Sequence, residues 1–299
     1  MNTTFSMAFN KMNDFSMRKY ILTAFLTLSF AAGHLNEYTP DRWIETVSWE
    51  PRAFVYHGFL TDEECDYLVS QAEPHMSRSA VVDADSGGSK LDAIRTSYGT
   101  FLRRGRDNVV SSIEERIALW TKLPVENGED IQVLRYQDGQ KYDAHWDWFD
   151  GGSKHDFGPS GNRVATVLMY LSDVEEGGET SFPRGTWVDE AAQKQGSYSP
   201  CGSKGVSVRP KKGDALLFWD LDVGAKEGDK YSLHAGCPVL RGTKWSATKW
   251  IHVRRFGETH GEPECEDADE NCPGWAEAGE CEKNPAYMLE ACKMSCNKC

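Results

Sequence analysis

Three separated pieces of this sequence make chemical sense only if the fold brings them together. His145-Trp146-Asp147 lies mid-chain, His234 far downstream, and Lys244 ten residues beyond that. On an extended strand, residues two apart face the same side. His145 and Asp147 can therefore reach one metal ion from a single strand end, with Trp146 turned away. A second histidine from a distant strand completes two imidazoles and one carboxylate, which leaves coordination positions open and suits non-haem Fe(II). A lysine just beyond the last ligand supplies a charge partner for a carboxylate-bearing co-substrate. A bare His-x-Asp arises by chance. The full ordered series, each piece in a strand-like context, is a strong signal.

Composition narrows the class. The chain has 299 residues, enough for one large domain or two unequal ones, and a formal net charge of −13. Residues 262–299 hold ten acidic residues and three lysines, so seven of those negative charges sit in the last segment. No basic footprint is present, which argues against nucleic acid as a partner.

The first 34 residues read as a targeting segment. Lys11, Arg18 and Lys19 precede an apolar run from Tyr20 to Gly33, shorter than the ~20 residues of a membrane-spanning helix. Small residues from Ser29 to Gly33 offer a cleavage site. A cleaved signal peptide and an uncleaved signal anchor both remain open. Either sends the rest of the chain into the secretory lumen of the endoplasmic reticulum or Golgi, or on to secretion; only the anchor implies a membrane.

The cysteines agree with that compartment. Six of nine fall at the end: Cys265, Cys272, Cys281, Cys292, Cys296 and Cys299. So short and acidic a tail cannot bury enough apolar surface alone, and disulfides supply the deficit. A zinc knuckle is the alternative, but no histidine lies within the tail. The segment resembles the ShK toxin-like (ShKT) module through Asp267, Trp275-Ala276, Gly279-Glu280-Cys281, Asn284-Pro285, Tyr287-Met288 and Ser295-Cys296. That resemblance implies pairings Cys265–Cys299, Cys272–Cys292 and Cys281–Cys296. Channel-blocking members carry a Lys-Tyr pair on a basic surface. Here Ala286 precedes Tyr287 on an acidic one, so an appended module that binds a protein partner is expected.

The body between leader and tail spans 45–255, with 256–264 as a polar linker. Residues 61–76 and 105–121 show helical spacing of apolar positions, the first behind an acidic turn. Strand-like runs follow at 131–136, 163–171, 205–209, 214–219 and 244–254, separated by turn signals such as Asp138-Gly139 and Lys212-Gly213. Helices leading many short antiparallel strands predict an α+β fold: a jelly-roll barrel backed by helices, plus the small disulfide-rich C-terminal module.

Residues 50–255 resemble the catalytic domain of plant and algal prolyl 4-hydroxylases. The resemblance is carried by Arg95-Thr-Ser, Gln132-Val-Leu-Arg-Tyr136, Gly139-Gln-Lys-Tyr142, His145-Trp-Asp147, the run from Ala165 to Thr180, Gly213-Asp-Ala-Leu-Leu-Phe-Trp219, Leu233-His-Ala-Gly-Cys-Pro-Val239 and Gly242-Thr-Lys-Trp-Ser-Ala-Thr-Lys-Trp-Ile-His252. It implies a double-stranded β-helix, with Fe(II) on His145, Asp147 and His234. 2-Oxoglutarate would chelate the iron, its far carboxylate meeting Lys244 with help from Tyr136 and Thr166. O2 and L-ascorbate complete the expected cofactors. The expected reaction hydroxylates C4 of a peptidyl proline while 2-oxoglutarate becomes succinate and carbon dioxide.

A proline-rich substrate is already extended as a polyproline II helix and docks on aromatic grooves. The resemblance places Tyr142, Arg163, Trp250 and His252 beside the target proline, and Arg95, Ser97 and Glu129 further along. Two glycine-bearing loops, Asp83–Lys90 and Gly151–Gly161, are either lids or plain surface loops. His57, His75, His155 and His260 read as surface or core histidines. Cys201 and Cys237 either pair or stay reduced, with Cys65 a buried thiol. The competing functions are another secretory 2-oxoglutarate oxygenase, acting on a different peptidyl or small substrate, and a non-catalytic body that displays the tail.

Overall fold

The computed structural model describes residues 42–82, 89–150, 158–257 and 267–296. The expected leader, His155, His260, Cys265, Cys299 and most of both glycine-bearing loops lie outside these residues. No helix among the described residues is long and apolar enough to cross a membrane.

In chain order the strands are β1 (Trp43–Glu50), β2 (Arg52–His57), β3 (Ser77–Arg78), β4 (Val81–Val82), β5 (Ser89–Lys90), β6 (Tyr98–Leu102), β7 (Ile131–Tyr136), β8 (Tyr142–His145) and β9 (Arg163–Tyr170). Then come β10 (Glu176–Gly177), β11 (Thr180–Phe182), β12 (Thr186–Trp187), β13 (Val206–Val208), β14 (Ala215–Trp219), β15 (His234–Gly236), β16 (Val239–Arg241) and β17 (Lys244–His252). Nine of them form the major sheet, in the order β12-β1-β2-β14-β9-β17-β7-β6-β3, and four form the minor sheet, β13-β11-β15-β8. Every pairing between these strands is antiparallel. The two sheets share a core of Val47, Val55, Tyr170, Phe182, Val206, Leu216 and Phe218. This is the jelly-roll architecture the strand pattern predicts.

Two helices cover the outer face of the major sheet. Helix α1 (Asp62–Ala72) starts where the Thr61 hydroxyl accepts a hydrogen bond from the Glu64 amide and the Glu64 carboxylate accepts one from the Thr61 amide, a capping box. The predicted helix to residue 76 is shorter here: Pro74 interrupts it, and residues 73–75 form a 3₁₀ turn instead. Helix α2 (Asn108–Thr121) begins later than 105 because the Asp107 carboxylate caps the Val110 amide. Cys65, Leu68, Val110, Ile113 and Ile117 pack onto Val133, Val167, Met169, Ala247 and Ile251. The odd positions of β17 thus lie under helices, and its even positions face the space between the sheets. Inside this covering, Lys249 meets Glu114 at 2.5 Å with both side chains almost wholly buried.

The hairpin β1–β2 and the minor-sheet strand β11 lack a sequence signature, and β8 and β15 show only through the histidines at their ends. They are only three to four residues long in the minor sheet, too short for a period-two pattern to stand out.

After a further short helix in the body, α3 (Glu190–Gln193), the last described segment holds three short helices, α4 (Cys272–Glu277), α5 (Glu280–Lys283) and α6 (Pro285–Ala291). Its core is Cys272, Met288 and Cys292 with Trp275 against them. Disulfides join Cys272 to Cys292 and Cys281 to Cys296. In the body, Cys201 is bonded to Cys237 and Cys65 is a buried free thiol.

Candidate active site

The metal-ligating set is assembled by strand register. His145 ends β8 and His234 begins β15, and the two are direct cross-strand partners. Their ring centroids lie 4.3 Å apart. Asp147 follows two residues after His145, and the ligand atoms of all three side chains lie within 4.8 Å of one another. Nδ1 of His145 is 2.8 Å from the carbonyl of Asp143, and Nδ1 of His234 is 2.9 Å from that of Ser232. Each Nδ1–H therefore donates to a carbonyl, which leaves the Nε2 lone pairs aimed at Asp147, 3.5 and 3.7 Å away.

The electrostatics fit a cation at that point. Burial pushes His234 down to about 4, so its imidazole is neutral and ready to ligate. Burial would raise Asp147, but the imidazoles of His234 and His145 and the Arg163 guanidinium outweigh it and hold the carboxyl well below the usual range. Two imidazoles and a carboxylate whose ligand atoms lie within 4.8 Å of one another are the donor set of an Fe(II) site with open positions.

The same cavity holds Lys244, 3 % exposed. Its Nζ donates to the Gly178 carbonyl at 2.7 Å and lies 5.6 Å from the rings of Tyr136 and Tyr170. Among the described residues no carboxylate pairs with it. The nearby Glu179 carboxylate instead accepts from the amide and hydroxyl of Ser199. Burial lowers Lys244 to about 8. Ser246, which also lines the cavity, has a buried hydroxyl without a partner. A desolvated ammonium with no anion and an unsatisfied donor beside it fit a bound dicarboxylate such as 2-oxoglutarate.

One expected role changes. Thr166 lines the cavity, but its hydroxyl sits 2.8 Å from both Asp147 Oδ2 and Asp220 Oδ2. A hydroxyl held between two carboxylates supports the metal ligand and is not free for a third. Thr180 also lines the cavity, and its hydroxyl accepts from Tyr170, whose ring lies 5.6 Å from Lys244 Nζ. A Cβ placed on Gly178, two residues before it, would meet Lys244 at 3.5 Å. The signal for it was present, because Thr180 ends the Gly177-Gly178-Glu179-Thr180 run.

Next to the cavity runs an open groove lined by Ile94, Arg95, Tyr142, Phe149, Arg163 and Trp250 among others. Tyr142 stacks on His145, with centroids 3.6 Å apart. The Arg95 guanidinium lies over Tyr142 at 4.7 Å, and Arg163 lies over Trp250 at 4.0 Å. Arg163 donates to Glu129 at 2.6 Å, and His252 Nε2 is 2.9 Å from the same oxygen. Burial would raise Glu129, but Arg163 and His252 together hold it low. His252 is fully buried, and its Nε2 lies against Glu129, which lines the groove. Ser97 is fully buried with its hydroxyl unpartnered.

Known proteins share these features. The 2OG-Fe(II) oxygenase superfamily model matches residues 131–252, and the ShK domain-like model matches residues 264–299. Prolyl 4-hydroxylase 2 of Arabidopsis thaliana is 50 % identical over 266 residues, covering 86 % of this chain and 88 % of the relative. Probable prolyl 4-hydroxylase 6 of the same plant is 46 % identical over 293 residues, covering 94 % and 99 %. The viral collagen prolyl hydroxylase of Paramecium Bursaria Chlorella virus-1, solved with 2OG, aligns with a TM-score of 0.49 and 31 % identity, covering 67 % of this chain and 95 % of that one. With a facial His-Asp-His set, a buried lysine in the same cavity and relatives at this identity over nearly their whole length, the chain belongs to the prolyl 4-hydroxylase family of 2-oxoglutarate- and Fe(II)-dependent oxygenases.

Proposed function

We propose that this protein hydroxylates C4 of proline residues in proline-rich polypeptides, consuming O2 and 2-oxoglutarate and releasing succinate and carbon dioxide. The observation that carries this reading is the convergence, in one cavity, of the metal set with a buried lysine that lacks a carboxylate partner, beside an aromatic groove open to a chain.

His145, Asp147 and His234 would hold Fe(II), which supplies the oxidation of the proline C–H bond by O2, coupled to decarboxylation of 2-oxoglutarate. The residues do the rest. Lys244 neutralises the far carboxylate of 2-oxoglutarate in a site where water cannot, and Thr180, Tyr136 and Ser246 line the same cavity. Trp250 and Thr166 donate to Asp147 Oδ2 and so fix the orientation of the carboxylate. Tyr142 and the Arg163–Trp250 stack border the groove at the metal site and orient the proline ring. Burial pushes the Tyr142 phenol up to about 12, so it stays neutral. The Glu129 carboxylate holds Arg163 in place, and His252 holds Glu129.

L-Ascorbate is proposed as the reductant that keeps the iron ferrous. The disulfides Cys201–Cys237, Cys272–Cys292 and Cys281–Cys296 support an oxidising compartment, consistent with a secretory-lumen location. The tail is read as a partner-binding module. The test is succinate formation with a panel of proline-rich, lysine-rich and free amino-acid substrates, the product analysed by mass spectrometry. Proline-dependent succinate with hydroxyl on C4 is expected. Turnover only with lysine or free amino acids would overturn the reading.

A further inference from the structure

Beyond the groove at the metal site lies a second cleft, lined by Phe101, Arg103, Arg104, Asp130 and Phe256. Phe101 and Glu129 line both, so the two form one continuous depression. Phe101 is 54 % exposed although it sits within β6. It pairs with Gln132, whose side chain reaches Arg95 in the groove. An aromatic ring left open on the substrate face of a sheet is costly to hydrate and suits contact with an apolar partner.

The cleft is rigid. The Arg104 guanidinium donates to the carbonyls of Glu126, Gly128 and Phe256, and its amide donates to Asp130. Gly128 admits the stem of Lys249 so closely that a Cβ there would lie 2.3 Å from Lys249 Cε. The Phe256 ring stacks on His252, centroids 4.6 Å apart, and His252 in turn holds Glu129. Arg103 is exposed and has no ion-pair partner among the described residues.

Resting on the function proposed above, we propose that this cleft is a distal subsite of the peptide groove. It takes a second proline ring of the same chain between Phe101 and Phe256, with Arg103 favouring an acidic residue next to that ring. A polyproline II chain rises about 3.1 Å per residue with three residues per turn. It therefore presents proline rings on one side at regular intervals along a continuous depression. The flat faces of two phenylalanines match those rings, and binding a pre-extended chain costs little ordering entropy.

The experiment uses the full-length protein, loaded with Fe(II) and 2-oxoglutarate. Short peptides centred on one target proline are compared with two series extended toward either end. Phe101 also borders the groove at the metal site, so Phe101→Ala is expected to leave kcat unchanged and to shift KM less on the short peptides than on the extended ones. On one of the two extended series it raises KM by about 3- to 10-fold, the range of one aromatic packing contact. Phe101→Tyr restores the wild-type KM. Arg103→Glu is expected to reverse a preference for aspartate over lysine beside the distal proline. Equal KM values for wild type and Phe101→Ala on both extended series would overturn the subsite while leaving the hydroxylase reading standing. Failure of the wild type to turn over any proline peptide would instead overturn the parent reading, and the subsite with it.

Discussion

Trp250 and Thr166 lie directly opposite each other on β17 and β9, and both hydrogen-bond to the same oxygen of Asp147, at 2.9 and 2.8 Å. The pair fixes Oδ2 from two sides and leaves Oδ1 facing His145. Supporting hydrogen bonds of this kind set the orientation and basicity of a ligating carboxylate.

Thr166→Val keeps the side chain's shape and removes the hydroxyl. It is expected to weaken metal binding about 10- to 100-fold with the fold intact. Anaerobic Fe(II) titration, read beside a circular dichroism spectrum, measures it. Unchanged metal affinity would show that Trp250 alone orients Asp147.

Lys244→Ala should raise the KM for 2-oxoglutarate about 10- to 100-fold, the worth of a charged hydrogen bond, with little change in peptide KM. The pH dependence follows from its lowered value near 8. The ammonium binds the dicarboxylate, and the neutral amine does not. The KM for 2-oxoglutarate should then be flat below about pH 8 and climb above it. A KM that stays flat well into the alkaline range would place the anchor elsewhere.

His57 bridges Asp214 at 2.7 Å and Glu45 at 3.1 Å, so both ring nitrogens donate only when it is protonated. The hydrogen bond to Asp214 is the main cause of its raised pKa, and burial opposes it. A raised value means that the native state holds the proton more tightly than the unfolded chain. The stabilisation is fully present below the unfolded value near 6.5 and is lost as pH rises through the folded value. Urea unfolding across that window should show declining stability with pH, and His57→Gln should remove the decline.

Lys249 and Glu114 form a pair with side chains 2 % and 1 % exposed. Lys249→Met leaves a carboxylate buried beneath the sheet with its ion partner gone. A loss of about 3–5 kcal/mol is expected, measured by chemical denaturation. The double change Lys249→Met, Glu114→Leu should recover most of it, because no uncompensated charge remains.

A chain ending at Gly257 should fold and hydroxylate short proline peptides as the full chain does. The tail's own small core and two described bridges depend on oxidation, so reduction should unfold it. Lost short-peptide turnover in a folded truncated protein would mean that the tail helps to build the active site.

The sequence alone determined whatever depends on local geometry. The two-residue spacing of His145 and Asp147 at a strand end announced a shared metal site, although β8 itself stops at His145. The polar even positions of β17 announced a cavity face, and cysteine density announced the stapled tail. Tertiary structure decided what depends on pairing between distant strands. The register that sets His234 opposite His145, and Trp250 opposite Thr166, is fixed by non-local packing that no short window contains. That register gave Thr166 to Asp147 and placed Thr180 in the cavity that holds Lys244. It also buried Ser97 and set His252 against Glu129. The helix ends moved for a local reason that competes with periodicity: Asp107 and Pro74 override the apolar pattern because an unsatisfied amide or a missing donor costs more than one further turn gains.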